Sequence, residues 1–431
     1  MDTPVRKGKA WLVLILLFLF MLINFADKVV VGLAAVPIMH DLQLTPVQFG
    51  QLGSSFFLLF SLSAILFGFI VNRVQARWVI ALLAAVWALT QFPMLGNVGF
   101  GVLLASRVAL GAGEGPAFPV AIHAAYKWFP NEQRTLPSGL LSLGSAVGVF
   151  LAAPVLTYMI FQVSWHAAFG LLGVVGAVWV VAWLILGEEG PIKDTPVAGA
   201  DLGTRLPYRR LFGTGTILGT LIGGWVAYWS LALALTWAPA YAAEVLHYSP
   251  ATVGYLTSAQ WLIGGLIVFG SGAVSQALKS RGMTSRLCRG GIAGGAVLLG
   301  GLFTILMAQC EPGLLQMAVQ VLAFSLPSVI FAIGPAMIGE VTPLAQRGGM
   351  LGMNTAIQTT AGLIAPFTAG WMLQKAGSQA VGFAQMLLLA GVLSVVGGLV
   401  CLLLLRPERD ARRLAGLDHP ARMAPAAAGG R

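Results

Sequence analysis

Long apolar runs interrupted at short intervals by polar joints dominate the chain. Twelve of them lie near 11–36, 48–71, 78–97, 100–124, 138–160, 166–187, 213–241, 251–275, 287–308, 313–339, 349–372 and 380–405. Each matches the ~20 residues that an α-helix needs to cross about 30 Å of hydrocarbon. The pattern predicts an all-α polytopic membrane protein of twelve transmembrane helices. The longest internal polar joint, 188–212, carries Glu188, Glu189, Pro191, Lys193, Asp194, Pro207 and the Arg209-Arg210 pair. It divides the chain into an amino-terminal six-helix half (1–187), a linker (188–212) and a carboxyl-terminal six-helix half (213–405). The tail, 406–431, is rich in Arg, Pro and Ala and is expected to be disordered.

The positive charges alternate across these joints. Arg6, Lys7 and Lys9 precede the first run, and the joint near 37–47 has no Lys or Arg. Arg73 and Arg77 follow the second run, and 96–100 again has none. Lys127 and Arg134 follow the fourth, and 161–165 has none. The later basic joints hold Lys193, Arg205, Arg209 and Arg210, then Lys279, Arg281, Arg286 and Arg289, then Arg347. The tail adds Arg406, Arg409, Arg412, Arg413, Arg422 and Arg431. Positive joints stay in the cytoplasm, which puts both termini inside. Short loops without an Asn-x-Ser/Thr site are compatible with a bacterial inner membrane. Of 25 basic residues only Lys28, Arg107 and Lys375 depart from the alternation, and Lys28 and Arg107 do so from within apolar runs.

Composition narrows the function classes. With 58% hydrophobic and 9% charged residues, 431 residues leave no stretch for a sizeable soluble domain. The net charge of +10 follows from the orientation rule and does not point to nucleic acid. The first run is longer than a signal-peptide core and lacks a cleavage motif, so it reads as a retained helix. Cys288, Cys310 and Cys401 have no metal spacing. No phosphate-binding loop, metal cluster or nucleophile elbow is present, so neither an enzyme nor ATP-driven transport is indicated.

An internal repeat supports the two halves. Pro130 to Arg134 precedes the fifth run and Pro343 to Arg347 the eleventh, each Arg five residues before a glycine, Gly139 and Gly352. Pro154 and Pro366 follow at similar offsets. Gly68-x-x-x-Asn72-Arg73 after the second run matches Gly272-x-x-x-Gln276 after the eighth. Two related halves around a central site is the repeat logic of transporters. Over nearly its whole length the chain resembles the major facilitator superfamily, and Gly68-x-x-x-Asn72-Arg73-x-x-x-Arg77 is similar to its loop 2–3 signature. Asn72 stands where Asp is usual, and Gln75 where Gly is usual.

Ionisable residues inside the membrane are costly and are functional candidates by default. The first helix carries Asn24-Phe25-Ala26-Asp27-Lys28. Neighbours on a helix point about 100° apart, so Asp27 and Lys28 each need a partner elsewhere; a purely structural ion pair is the competing reading. The fourth helix carries Arg107 and Glu114, seven residues and close to two turns apart on one face. They can line one cavity, though a structural pair across helices would serve them too. A buried carboxylate whose charge depends on a nearby cation behaves as proton coupling requires.

The run Arg107-x-x-x-Gly111-x-Gly113-Glu114-Gly115-Pro116-x-x-Pro119 resembles the helix-4 signature of the anion:cation symporter family, the sugar-acid and aromatic-acid permeases related to sialin and vesicular glutamate transporters. Trp128-Phe129-Pro130, Trp165-His166-x-x-Phe169, Trp237-x-Pro239-x-Tyr241, Gly352, Asn354 and Gly362-x-x-x-Pro366 agree with it. The resemblance implies proton-coupling roles for Asp27 and Glu114 and substrate contact for Lys28 and Arg107. Lys28 replaces the family's Arg, exchanging a forked grip for a point charge. Phe25 stands where sugar-acid permeases have Tyr, and Ser145 where they have Gln, which favours a less hydroxylated acid. Tyr228, Trp237, Asn354 and Gln358 are further candidates for the cavity wall. Arg73, Arg77, Arg134, Glu340 and Arg347 are candidates for a cytoplasmic gate, with Arg134 or Arg347 as the expected partner of Glu340. His123 and His166 read as packing or capping residues.

The expected function is proton-coupled import of an organic anion, whether monocarboxylate, aromatic or sugar acid, by a monomer in the lipid bilayer. Protons are the coupling ion, with no other cofactor, no metal and no nucleic-acid partner. An exchanger or efflux transporter is the first alternative, although Gly148 to Pro154 does not match the helix-5 run of drug antiporters. A non-transporting sensor of an organic acid is the remote one.

Overall fold

The computed structural model describes residues 7–71, 73–130, 133–192 and 205–416. Arg6, Asn72, Asn131, Glu132, Lys193, Asp194, Arg422 and Arg431 lie outside the described residues. So do most of the linker and the end of the tail.

Within these residues the fold is all helical. The helices are α1 (Lys7–Leu33), α2 (Ala35–Asp41), α3 (Pro46–Ile70), α4 (Ala76–Gln91), α5 (Phe100–Glu114), α6 (Ala117–Tyr126), α7 (Thr135–Gln162), α8 (Trp165–Leu186) and α9 (Tyr208–Phe212). They continue with α10 (Gly215–Thr236), α11 (Ala238–Glu244), α12 (Pro250–Ser280), α13 (Ile292–Met307), α14 (Leu314–Ser325), α15 (Val329–Val341), α16 (Arg347–Lys375), α17 (Gln379–Leu404) and α18 (Pro407–Leu414). Ten spans are individually long and apolar enough to cross a bilayer. The fourth, α5 with α6, is divided where Pro116 removes a backbone N–H. The eleventh, α16, is interrupted by polar residues. With these two the architecture is twelve spans in two six-helix halves.

Turn chemistry repeats between the halves. The second and eighth spans start at Thr45-Pro46 and Ser249-Pro250, where each hydroxyl accepts from the third residue on and proline fits the first helical turn. The sixth and twelfth start from Ser164 and Ser378, which accept from Ala167 N and Val381 N. Arg134 Nε donates to Phe129 O at 3.2 Å, and Arg347 Nε donates to Thr342 O at 3.2 Å, each reaching five residues back.

Within the halves α1 packs on α7, α3 on α5, α4 on α8 and α13 on α17. The halves meet where α3 packs on α16, α7 on α12 and α1 on α10. The seam is tight on the face away from the chain ends. A Cβ on Gly32 would sit 2.0 Å from Leu235 O. Across the same seam Phe49 of α3 meets Trp237 edge-on (5.0 Å), Ser258 Oγ donates to Phe150 O (2.8 Å) and Phe367 N to Ser54 Oγ (3.1 Å). On the face carrying the chain ends, called the terminal face below, a Cβ at Gly139, Gly272 or Gly352 would meet nothing within 4 Å. No ion pair among the described residues joins the amino-terminal half to the carboxyl-terminal half. The molecule is therefore closed on the far face and parted on the terminal face.

The start of the tail departs from the expected disorder: residues 407–414 form α18, packed under α15. Its two carboxylates give the reason. Asp410, fully buried, accepts from both N and Oγ1 of Thr216 at 2.7 Å, at the first turn of α10. Glu408 accepts from the backbone N–H groups of Ser285 and Arg286 and pairs with Lys279. Helix N-termini attract such anions. Burial alone would push the Glu408 carboxyl up, but these donors outweigh it and hold it below its ordinary value. Glu189 plays the matching part in the other half, accepting from Arg77 N at 3.0 Å and pairing with Lys127.

Candidate functional site

The membrane charges converge in the amino-terminal half. Two glycines on the fourth span let α3 come close: a Cβ on Gly111 would be 1.8 Å from Phe56 O, and one on Gly115 2.0 Å from Phe60 O. Any larger residue would force the helices apart. With that face taken by α3, Arg107 and Glu114 are buried, and Glu114 meets α1.

Lys28 is the hub. Its Nζ lies 3.2 Å from Glu114 Oε2 and donates to Asn24 Oδ1 at 2.5 Å, one helical turn back. It also stands 4.1 Å above the Phe25 ring and 5.7 Å from that of Phe60. Ammonium over ring is an attractive contact that needs no counter-charge. Asp27 turns the other way and accepts from Gln91 Nε2 of α4 at 3.0 Å. Each of the adjacent charges thus finds its partner on another helix. Arg107 stacks over Phe56, 4.8 Å from the ring centre. Among the described residues its Nε and Nη1 have no hydrogen-bond partner, nor have Glu114 Oε1 and Asn24 Nδ2. Lys28, Arg107, Gly53, Phe56, Phe57, Leu235 and Thr236 enclose a cavity of ≈ 10 Å³, room for at most one water, beneath the closed seam.

The other candidates separate into those near the centre and those elsewhere. Phe25 is half-buried and meets Trp261 of α12 edge-on, ring centres 5.5 Å apart. Ser145 is half-buried on α7, beside Ala146, which faces Gly265 of α12. Tyr228 is half-buried between Phe57 (6.3 Å) and Phe331 (5.1 Å). Asn354 is buried with its Oδ1 unpartnered among the described residues. Gln358 is committed elsewhere: its Nε2 donates to Thr220 O at 2.9 Å, tying α16 to α10. Trp237 belongs to the far-face seam: its ring meets Phe49 of α3 edge-on at 5.0 Å while its Nε1 donates to Pro366 O of α16.

Of the gate candidates, Arg77 Nη2 donates to Leu184 O at 2.7 Å, and Arg73 is exposed. Glu340 does not pair with Arg134 or Arg347 as expected. It takes Arg289 and Ser285, because the π-helical turn Arg286–Gly291 swings Arg289 against the end of α15. Both Arg134 and Arg347 instead cap the ends of their own preceding spans. His166 contacts Met94 O at 2.6 Å through Nδ1 and stacks on Trp165, a packing role.

Sequence reasoning passed over Gln91, Trp261 and Asn24. For Gln91 and Asn24 a signal existed, an amide deep in an apolar run. Trp261 offered none, since an aromatic in a span reads as core or interface.

Twelve spans in two pseudo-repeated halves around buried, cross-paired charges define a membrane-transporter class rather than an enzyme. A family model described as Major Facilitator Superfamily matches residues 16–326, and the chain belongs to that family. Its similarity within the family runs to the anion:cation, sugar-acid permease branch. The hexuronate transporter of Bacillus subtilis (strain 168) is 28% identical, covering 92% of this chain and 94% of its own. The probable sulfoacetate transporter of Cupriavidus necator H16 is 27% identical (88% and 90%), and the probable L-galactonate transporter of Escherichia coli K12 is 26% identical (93% and 90%). Among solved structures, a bacterial homologue of the human lysosomal transporter Spinster, inward-facing and unoccupied, superposes with a TM-score of 0.78. It is 17% identical and covers 94% of this chain and 99% of its own, a likeness of fold.

Proposed function

We propose that this chain is a proton-coupled symporter importing a small organic anion across a bacterial inner membrane, with the terminal face in the cytoplasm. The observation that carries the reading is the Lys28–Glu114 pair, 3.2 Å apart and beside an Arg107 with two donors unpartnered among the described residues. The names of similar proteins, transporters of hexuronate, L-galactonate and sulfoacetate, support an acidic organic substrate. The basic joints clustered at the terminal face support the orientation.

In the state described, open on the terminal face, Glu114 occupies Lys28 and no carboxylate from elsewhere is needed to neutralise it. When the site faces outward, protons on Glu114 and Asp27 release Lys28 to take the substrate carboxylate, and Arg107 adds a second positive charge. Substrate plus protons neutralise the buried charges, so the halves can rock past the hydrocarbon. On the cytoplasmic side the protons leave, Glu114 recaptures Lys28, and the substrate is expelled. Arg73, Arg77, Arg134, Glu340 and Arg347 shape the cytoplasmic mouth through contacts inside their own halves. The unit acts as a monomer, with protons as its only coupling partner.

The test is uptake of labelled carboxylates into proteoliposomes with and without an acid-outside gradient. Accumulation requires the gradient, and Glu114→Gln abolishes accumulation while sparing exchange of preloaded substrate. Full gradient-driven accumulation in that variant refutes the coupling role. Gradient-independent exchange in the wild type makes the protein an exchanger.

A further inference from the structure

A larger cavity, ≈ 160 Å³, lies at the far face between the ends of α1 and α7 in one half and those of α11 and α12 in the other. Phe161 and Pro250 are exposed on its rim, and Glu244 is half-buried there. Its inner wall holds Gly32, Thr157 and Val253, all buried. Further inward the seam is shut, with Gly32 against Leu235 O and Ser258 Oγ donating to Phe150 O. The cavity therefore opens away from the terminal face, and it shares no lining residue with the small space beside Lys28.

Apart from Thr157 and Glu244, the lining side chains are apolar or absent. Thr157 is 3% exposed, and its Oγ1 has no hydrogen-bond partner among the described residues. Buried threonines on other spans donate to the carbonyl four residues earlier, Thr257 to Val253 O and Thr304 to Gly300 O. Thr157 instead lies against bare backbone on α12, where a Cβ on Gly254 would sit 2.9 Å from its Oγ1. A buried hydroxyl left in this way is rare. An ordered water takes about three hydrogen bonds, and the side chains of the inner wall offer one. At the rim, Glu244 pairs with no Lys, Arg or His among the described residues.

We infer that this cavity is a second ligand site, which takes a small amphiphilic amine from the far face. The ammonium group meets the Glu244 carboxylate at the rim, the apolar body fills the cavity, and a hydroxyl at its inner end bonds Thr157. Thr157 lies one helical turn inward of Phe161, so the two polar contacts sit at opposite ends of an apolar wall. An apolar cavity of about 150 Å³ holds a benzene, so one ring with a short alkylamine fits. Because the walls come from both halves, parting of the far face takes Glu244 away from Thr157. An occupant therefore favours the state closed on the far face and slows its opening without entering the central site.

The experiment measures binding of tyramine, phenethylamine and 4-ethylphenol to the protein in lipid nanodiscs by isothermal titration calorimetry. Tyramine carries both polar groups, phenethylamine only the ammonium and 4-ethylphenol only the hydroxyl. Tyramine is expected to bind wild type about fivefold more tightly than phenethylamine, the worth of one neutral hydrogen bond, and about tenfold more tightly than 4-ethylphenol. Glu244→Gln costs both amines about tenfold and leaves 4-ethylphenol unchanged. Thr157→Val costs tyramine and 4-ethylphenol about fivefold and leaves phenethylamine unchanged. Equal affinity of tyramine and 4-ethylphenol, full tyramine affinity in Glu244→Gln, or no binding of any of the three to wild type overturns the site. Equal loss of both amines in Thr157→Val overturns the hydroxyl contact. The effect on opening is read from Ala369→Cys, buried in α16 near the far face, in a protein lacking Cys288, Cys310 and Cys401. Tyramine at ten times its dissociation constant should slow maleimide labelling of that cysteine about tenfold. A rate that tyramine leaves unchanged overturns the preference for the closed state.

Discussion

Removing either member of the Lys28–Glu114 pair should damage the fold, and removing both should damage it less than the two losses combined. The side chains are 10% and 0% exposed with 3.2 Å between charged atoms. At an effective dielectric constant near 20 that spacing corresponds to about 5 kcal/mol of attraction. Stripping one partner from such a pair typically costs 3–5 kcal/mol, because a charge is left buried. Here the survivors are partly cushioned. Lys28 keeps Asn24 at 2.5 Å and the Phe25 ring at 4.1 Å, and Glu114 keeps the nearby positive charge of Arg107. Each of Lys28→Met and Glu114→Gln is therefore expected to cost about 3 kcal/mol, at the low end of that range. The double variant buries no lone charge at this spot and should also cost about 3 kcal/mol, giving a coupling of about 3 kcal/mol. The assay is thermal unfolding of the four detergent-purified proteins followed by intrinsic tryptophan fluorescence. Additive losses in the double variant would refute the pairing and with it the idea that Glu114 competes with substrate for Lys28.

Two further perturbations test the closed seam and the helix under the terminal face. In Gly32→Val the new side chain meets the backbone carbonyl of Leu235, which cannot swing aside, so closure of the far face should weaken by about 1–3 kcal/mol. In a protein lacking Cys288, Cys310 and Cys401, a single cysteine at Val36 should then react faster with a membrane-impermeant maleimide; an unchanged rate counts against the seam. Glu408 is held below its ordinary value, so its contribution is present above the unfolded-state value near ~4.3 and is lost as pH falls through the lower folded value. Melting temperature should thus drop below about pH 4 more steeply in wild type than in Glu408→Gln. Asp410→Ala, which strips two donors of a buried acceptor, should cost about 1–3 kcal/mol at any neutral pH.

Some features were legible because they are written locally. Hydropathy marks spans, since each must satisfy its own backbone in lipid, and the repeated Arg134 and Arg347 announced a geometry that both halves adopt. Asp27, Lys28, Arg107 and Glu114 stood out as charges where charge is costly, and they do lie together in one half. The failures share a different origin. Glu340 was assigned to Arg134 or Arg347 and took Arg289, because a π turn altered where that side chain points. The tail looked disordered by composition, yet Glu408 and Asp410 find helix N-termini more than a hundred residues away. Trp237 and Gln358 looked like cavity wall, but one packs on Phe49 at the closed seam and the other ties α16 to α10.

The sequence by itself determined the number of spans, the division into halves, the asymmetry of positive charge and the four membrane charges. Each follows from hydropathy or charge cost along a single helix. Only the tertiary structure decided that Asp27 goes to Gln91, that Lys28 pairs with Glu114, that Trp261 faces Phe25 and that the far face is shut. Periodicity tells which side of a helix a residue occupies. Which helix lies opposite depends on how glycines and prolines let the spans approach and cross, a property of the packed set.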